Sequence, residues 1–163
     1  MTHASAPGKI ILFGEHAVVY GRPALAVPVT QVHADVTVTD SPRAGTFIHA
    51  PDISLHAELS SLPSDHPIAA VVHNFFFAFG VSPFPSLDIS ITSTIPVASG
   101  LGSGAAVTVA LLRALSSAVH HPLSNEQINQ FAYEIEKRHH GTPSGIDNTV
   151  ITYARPVYFI RQL

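Results

Sequence analysis

Residues Ile95–Leu115 read IPVASGLGSGAAVTVALLRAL. Gly100, Gly102 and Gly104 fall within five residues, and an apolar run with helical spacing follows at once. Two readings fit this stretch. One is a plain turn between a strand and a helix. The other is a cradle for phosphate, because the first N–H groups of a helix have no partner within the helix and its dipole favours an anion there. Glycine lets a ligand approach such a backbone closely. The loop is not a P-loop, since no Lys-Ser or Lys-Thr follows the last glycine, and its spacing is not the dinucleotide fingerprint. The rest of the chain has to decide.

Composition narrows the choice. The chain has 163 residues, 46% hydrophobic and 12% charged, which suits one domain with a real core. A net charge of −3 offers no bulk attraction to nucleic acid or an anionic membrane, so neither is an expected partner. There is no cysteine, which excludes a disulfide framework and a thiolate metal site. The N-terminus has no signal-peptide pattern and no apolar run spans a bilayer, so a cytoplasmic protein is expected. Eleven histidines include the adjacent pairs His120-His121 and His139-His140. Neither pair has the spacing of a zinc helix, so a histidine metal site is not expected.

Periodicity sets the elements. Lys9 to Phe13 reads as a short strand ending at Gly14, and "PALAVPV" as a second. In "HADVTVTD", Ala34, Val36 and Val38 alternate with Asp35, Thr37 and Thr39. "TFIHA" is expected to pair with that strand across the Ser41-to-Gly45 turn, and Ala50 to His66 reads as a loop. Pro67 opens a helix to about Phe79, closed by Gly80. "LDISITS" is a strand. The helix after the glycine loop runs from about Gly104 to Val119 and is apolar nearly all round, so it should be buried. Ser124 with Gln127 starts the next helix as a capping box, with Ile128, Phe131, Ala132 and Ile135 as its core stripe and Gly141 as its end. "GTPSGID" is a turn-rich loop and "PVYFI" a late strand. The pattern predicts an α+β fold with a mostly antiparallel sheet packed with helices.

Three polar clusters interrupt these apolar elements. One holds Lys9, Glu15 and His16. The second is the glycine loop with Ser99 and Ser103. The third holds Glu136, Ser144 and Asp147. Together they are the inventory that phosphoryl transfer needs: backbone donors, a metal-binding carboxylate or hydroxyl, a lysine, and an acid near the attacking hydroxyl. Each also has an ordinary reading. Lys9 alone is a solvated surface lysine. Glu136 beside Lys137 and Arg138 is helix-surface charge. Asp147 is a turn residue or the cap of a short helix.

The stretches "PGKIILFGEHAVVYG", "PVASGLGSGAA" and "HGTPSGIDN" resemble the three signatures of the GHMP kinase family, and the likeness runs from Ala6 to about Arg161. The resemblance implies the family's N-terminal domain, of the ribosomal protein S5 domain 2-like fold, over residues 1–163. Because members continue into a C-terminal domain, the chain is expected to be the N-terminal part alone. The uncovered apolar face would favour a homodimer. The Gly14-to-Gly21 run points within the family to members that use ATP and Mg²⁺ to phosphorylate the 5-hydroxyl of mevalonate in isoprenoid synthesis. Other small alcohols, or a non-catalytic nucleotide-binding remnant, are the alternatives. The resemblance further implies that Pro96, Ser99, Gly100, Leu101, Gly102, Ser103, Gly104 and Ala105 hold the ATP phosphates. Glu136 would match the Mg²⁺-binding glutamate, Asp147 the catalytic aspartate and Lys9 the lysine beside it. Glu15, His16 and Tyr20 would contact mevalonate. Relatives place a second serine where this chain has Gly104, so Ser103 or water is expected to take that place beside the metal.

Overall fold

Two long strands carry the architecture. β1 (Thr2–Phe13) pairs antiparallel with β2 (Ala24–Asp40) along its whole length. The register slips between Pro7 and Gly8: Pro7 faces His33, yet Gly8 faces Val29. This bulge divides β2 into two ladder segments. They are the two separate strands that its sequence suggests, joined here into one twisted ribbon. β1 is likewise longer than the Lys9–Phe13 expected, because its first half pairs with the alternating half of β2. The computed structural model describes residues 1–140 and 143–160, with the side chains of 138–140 left aside. Gly141, expected to close a helix, and Arg161 lie outside the described residues, as do the side chains of His139 and His140.

The other edge of β2 is shared. Its second half pairs antiparallel with β5 (Leu87–Ser93), and its first residues pair with the short β6 (Val157–Phe159). β3 (Phe47–Ala50) does not pair with β2 as expected. It lies parallel to β5 and forms a hairpin with β4 (Leu55–Glu58), giving the order β1-β2-β5-β3-β4. The segment from Ala50 to His66, expected as a loop, thus contributes a strand and two 3₁₀ turns. β4 follows β3 after only four residues, and its alternation of Leu55 and Ala57 with His56 and Glu58 is too short to stand out among the prolines, serines and aspartates around it.

Four helices complete the α+β fold: α1 (Pro67–Ala78), α2 (Ser103–Ala118), α3 (Asn125–His140) and α4 (Ile146–Tyr153). Val36 and Val38 face Ile91 and Ile89 across the ladder, with Ile48 next in the same row. Helices α1 and α2 cover this surface with Val72, Phe75, Phe76, Val109 and Leu112, all buried. Burying a side chain such as Phe75 is worth about 1.5–3 kcal/mol. Helix α2 is buried nearly all round, as its composition requires. The capping box forms, with Ser124 N–H donating to Gln127 Oε1 at 2.9 Å and Gln127 N–H to Ser124 Oγ at 3.3 Å. α4 was hidden in the sequence, since its eight residues follow a Pro-Ser-Gly turn. Its Ile146 and Val150 pack with Val18, Ala24 and Ala26 in a second, smaller core.

Arg113 ties these layers together. From α2 its guanidinium donates to Ser5 O (3.1 Å) in β1, Asn125 Oδ1 (3.2 Å) at the start of α3, and Thr152 O (2.7 Å) in α4. Burial pushes its pKa down, without discharging so strong a base. Hydrogen bonds from a charged donor are among the stronger ones in proteins. Arg113→Met keeps the stem but loses all three bonds. It should lower the stability of the chain by about 1–3 kcal/mol in urea unfolding.

Candidate active site

The site is built around Lys9. Three features fix this residue. Its backbone N–H donates to Leu101 O at 2.9 Å, which ties β1 to the glycine loop just after the β-bulge. Its stem packs under Gly102, where an added Cβ would stand 2.9 Å from Lys9 Cγ and 3.0 Å from Ile151 Cδ1. Its ammonium lies 3.0 Å from Asp147 Oδ1. The Lys9 side chain is only 5% exposed, so the reading of a solvated surface lysine does not hold. A buried ammonium needs a paired, hydrogen-bonded counter-charge.

Asp147 sits in the first turn of α4, placed there by Gly145 at the helix N-cap. It is therefore a helix residue and not merely a turn residue. The favourable end of the α4 dipole helps hold its carboxylate. Glu136, in the last turns of α3, belongs to the same cluster. Burial pushes its carboxyl pKa up to about 7, the neighbouring Asp147 pushes it the same way, and Lys9 opposes them. Glu136 is thus not ordinary helix-surface charge. The cluster thus sets two carboxyl groups, Glu136 and Asp147, against one ammonium, which is paired with Asp147.

The glycine loop behaves as an anion cradle in its geometry. Gly102 takes the N-cap of α2 at φ +74°, a backbone that favours glycine, and no side chain caps the helix. No acidic residue occupies the first turn, so the free N–H groups face no competing carboxylate. Ser99 folds onto its own loop, donating to Pro96 O at 2.7 Å and accepting from Leu101 N–H at 3.4 Å. Pro96, Ser99 and Gly100 are exposed, whereas Ala105 is buried beneath the loop. Gly104 has open space where a Cβ would stand, so a serine would fit there sterically.

Beside the loop lies a groove of about 300 Å³. Pro96 and Ser103 form one wall, and Asp52, Ile53 and Ile68 form part of the other. Asp52 and Ile53 went unnoticed in the sequence because their segment reads as loop. The one local signal was an aspartate after a proline. Asp52 Oδ2 accepts from Ser93 N–H at 2.7 Å and pins that turn to the end of β5.

Glu15, His16 and Tyr20 follow β1 on a turn that Gly14 makes possible at φ +85°, where any Cβ would run into the Pro23 carbonyl and Ala24. All three are exposed, Tyr20 by 76%. Among the described residues no hydrogen bond or ion pair joins them to the Lys9–Asp147 pair. The cluster brought together by the fold is Lys9, Leu101, Gly102, Glu136 and Asp147.

Comparison with known proteins bears on the family and the fold. The family model "GHMP kinases N terminal domain" matches residues 66–155. A mevalonate kinase of Pyrococcus horikoshii is 36% identical over 169 residues, covering 96% of this chain and 50% of the relative. A mevalonate kinase of Archaeoglobus fulgidus is 40% identical over 151 residues, covering 92% of the chain and 50% of the relative. The crystal structure of the Methanococcus jannaschii mevalonate kinase superposes with a TM-score of 0.87 at 25% identity, over 98% of this chain and 53% of that one. The chain spans about half the length of the curated relatives it matches.

The titration of Glu136 is directly measurable. Its folded pKa of about 7 lies above the unfolded value of 4.5. Between those two pH values the folded chain keeps a proton that the unfolded chain has lost. The stability contribution therefore falls as pH rises through this window and is constant on either side. The span corresponds to a loss on the order of 3 kcal/mol. Glu136→Gln should remove that loss, so the variant gains on the native chain from pH 4.5 to 7 in metal-free denaturant titrations.

Proposed function

The chain belongs to the GHMP kinase family, and from that premise we propose that it is the N-terminal, ATP-binding domain of an enzyme that phosphorylates the 5-hydroxyl of mevalonate. The observation that carries this reading is the 3.0 Å Lys9–Asp147 pair, set directly beneath the glycine loop and next to Glu136. The curated relatives named mevalonate kinase support the choice of substrate. A C-terminal domain of the family would complete the pocket. Phe13 and Tyr158 flank Leu25 in one row across the sheet and are 71% and 69% exposed, an apolar strip suited to cover by such a domain or by a second copy.

The residues fit ATP with Mg²⁺ on two counts. The α2 N-terminus offers uncapped donors, and Glu136 holds its proton near neutrality in a cluster with a surplus of carboxyl groups. Among the described residues no group of three His, Cys, Asp or Glu side chains holds a metal alone. That suits Mg²⁺, which keeps several waters and shares substrate phosphate oxygens. When bound, Mg²⁺-ATP supplies the phosphoryl group and neutralises its charge. Residues Pro96 to Ala105 would hold the phosphates, and Glu136 with Ser103 would face the metal.

The chain's own residues prepare the acceptor. Lys9 engages Oδ1 of Asp147 and fixes the carboxylate in orientation. Asp147 is 31% exposed, so it remains reachable from the pocket and can accept the proton of the attacking hydroxyl. The Lys9 ammonium offsets the negative charge that gathers as the alcohol loses that proton. Glu15, His16 and Tyr20, exposed on the turn after β1, would contact mevalonate.

In a protein carrying this chain with a C-terminal domain of the family, Asp147→Asn should keep ATP and mevalonate affinity within a few-fold. Turnover should fall by roughly 10² or more, the range of a positioned acid–base group. Steady-state kinetics decides it. Normal turnover would remove Asp147 from the chemistry.

A further inference from the structure

The exposed side of the sheet holds a group that the phosphoryl-transfer reading does not use. His49 of β3 and His56 of β4 are direct cross-strand partners. Both side chains point away from the core, since Ile48 and Ala50 on either side of His49 are buried. Their Nδ1 atoms lie 3.1 Å apart, with ring centroids 5.2 Å apart at 77°. They open onto a hollow of about 220 Å³ that Thr37, Arg43, Asp88 and Ser90 also line.

We propose that His49 and His56 form a two-imidazole site for a late first-row divalent cation of the Zn²⁺ or Cu²⁺ class. Imidazole nitrogen is a preferred donor for these ions. A tetrahedral ion with Zn–N of 2.0–2.1 Å requires its two nitrogens to stand about 3.3 Å apart. The observed separation is within a few tenths of an ångström of that value, and both rings stand on the same face of the hairpin as direct cross-strand partners. Two short strands in register hold the pair, so little ordering is needed when the ion binds. Water fills the remaining positions. The nearby Arg43 cation opposes the ion least where it is already neutralised: it is bound to Asp88 Oδ1 at 3.0 Å and stacked 3.9 Å over the Phe47 ring.

The site sits one residue pair before the end of the hairpin, where Ala50 faces Leu55. The connection beyond it carries Asp52 and Ile53, which line the groove beside the glycine loop. An ion bridging His49 and His56 clamps the base of that turn. It thereby stiffens one wall of the groove from the opposite side of the sheet.

The test is zinc alone, titrated into the purified chain at neutral pH without nucleotide. Calorimetry should give one saturable equivalent. His49→Asn and His56→Asn should each weaken it by at least about tenfold. His33→Asn, in the separate His3–Asp35–His33 cluster on the same side of the sheet, should leave it unchanged. Imidazole ¹⁵N spectra of the unmutated chain keep the test independent of any folding defect, and the Nδ1 signals of His49 and His56 should move together as zinc is added. Absence of zinc uptake, uptake unaltered in the double variant, or shifts confined to other histidines would overturn the proposal. A pair that is only an imidazole–imidazole hydrogen bond gives the first of these outcomes.

Discussion

A lysine ammonium that is almost wholly buried must be paired, and this requirement organises the site. Lys9 meets it with Asp147, a residue from the far end of the chain. The pair fixes more than itself. Because the Lys9 backbone is bonded to Leu101 and its stem fills the space under Gly102, the same residue sets the height of the glycine loop above β1. β1, the loop and α4 therefore share one joint. Gly102 is needed there for two reasons at once: its left-handed backbone turns the chain into α2, and its missing Cβ admits the lysine stem.

The electrostatics follow from the same burial. Glu136 enters a cluster that already holds one ion pair, and its proton is retained to about neutrality first because burial disfavours the charged carboxylate and second because Asp147 carries a like charge. Opposite this cluster, the α2 N-terminus presents unmatched positive dipole. Each half lacks what a phosphate-bound cation carries. In the proposed reading, an anionic ligand would satisfy the helix end and its metal the carboxyl surplus. Nothing in the packing of the core requires this arrangement, since Arg113 and the apolar layers already hold the domain together.

Much of this was legible in the sequence, and the exceptions share a cause. Helices α1 and α2, strand β5 and the Ser124–Gln127 cap are encoded by local patterns, and each appears where its pattern places it. The parallel pairing of β3 with β5 depends on contacts distant in sequence, and β4, though the hairpin neighbour of β3, is only four residues long in a stretch rich in proline, serine and aspartate. Helix α4 was obscured by the Pro-Ser-Gly turn that starts it. The candidate residues Lys9, Glu136 and Asp147 could be listed from motifs. Asp147 does stand at the start of a short helix, as its ordinary reading allowed, whereas the ordinary readings of Lys9 and Glu136 fail because of burial and partners, which are properties of the assembled fold. The groove wall at Asp52 and the His49–His56 pair were invisible for the same reason, since neither has a sequence neighbour that reveals its role.

The central claim is that Lys9 and Asp147 act as one unit. A double-mutant cycle tests it most directly, with Lys9→Met, Asp147→Asn and the combined variant compared by denaturant unfolding. Removing one partner of a buried pair leaves an uncompensated charge and costs about 3–5 kcal/mol. Removing both leaves none. The double variant should therefore be less destabilised than the sum of the singles, with a coupling of about 2 kcal/mol or more, discounted for the partial exposure of Asp147. Strictly additive losses would contradict the account and reduce the pair to two neighbours that do not depend on each other.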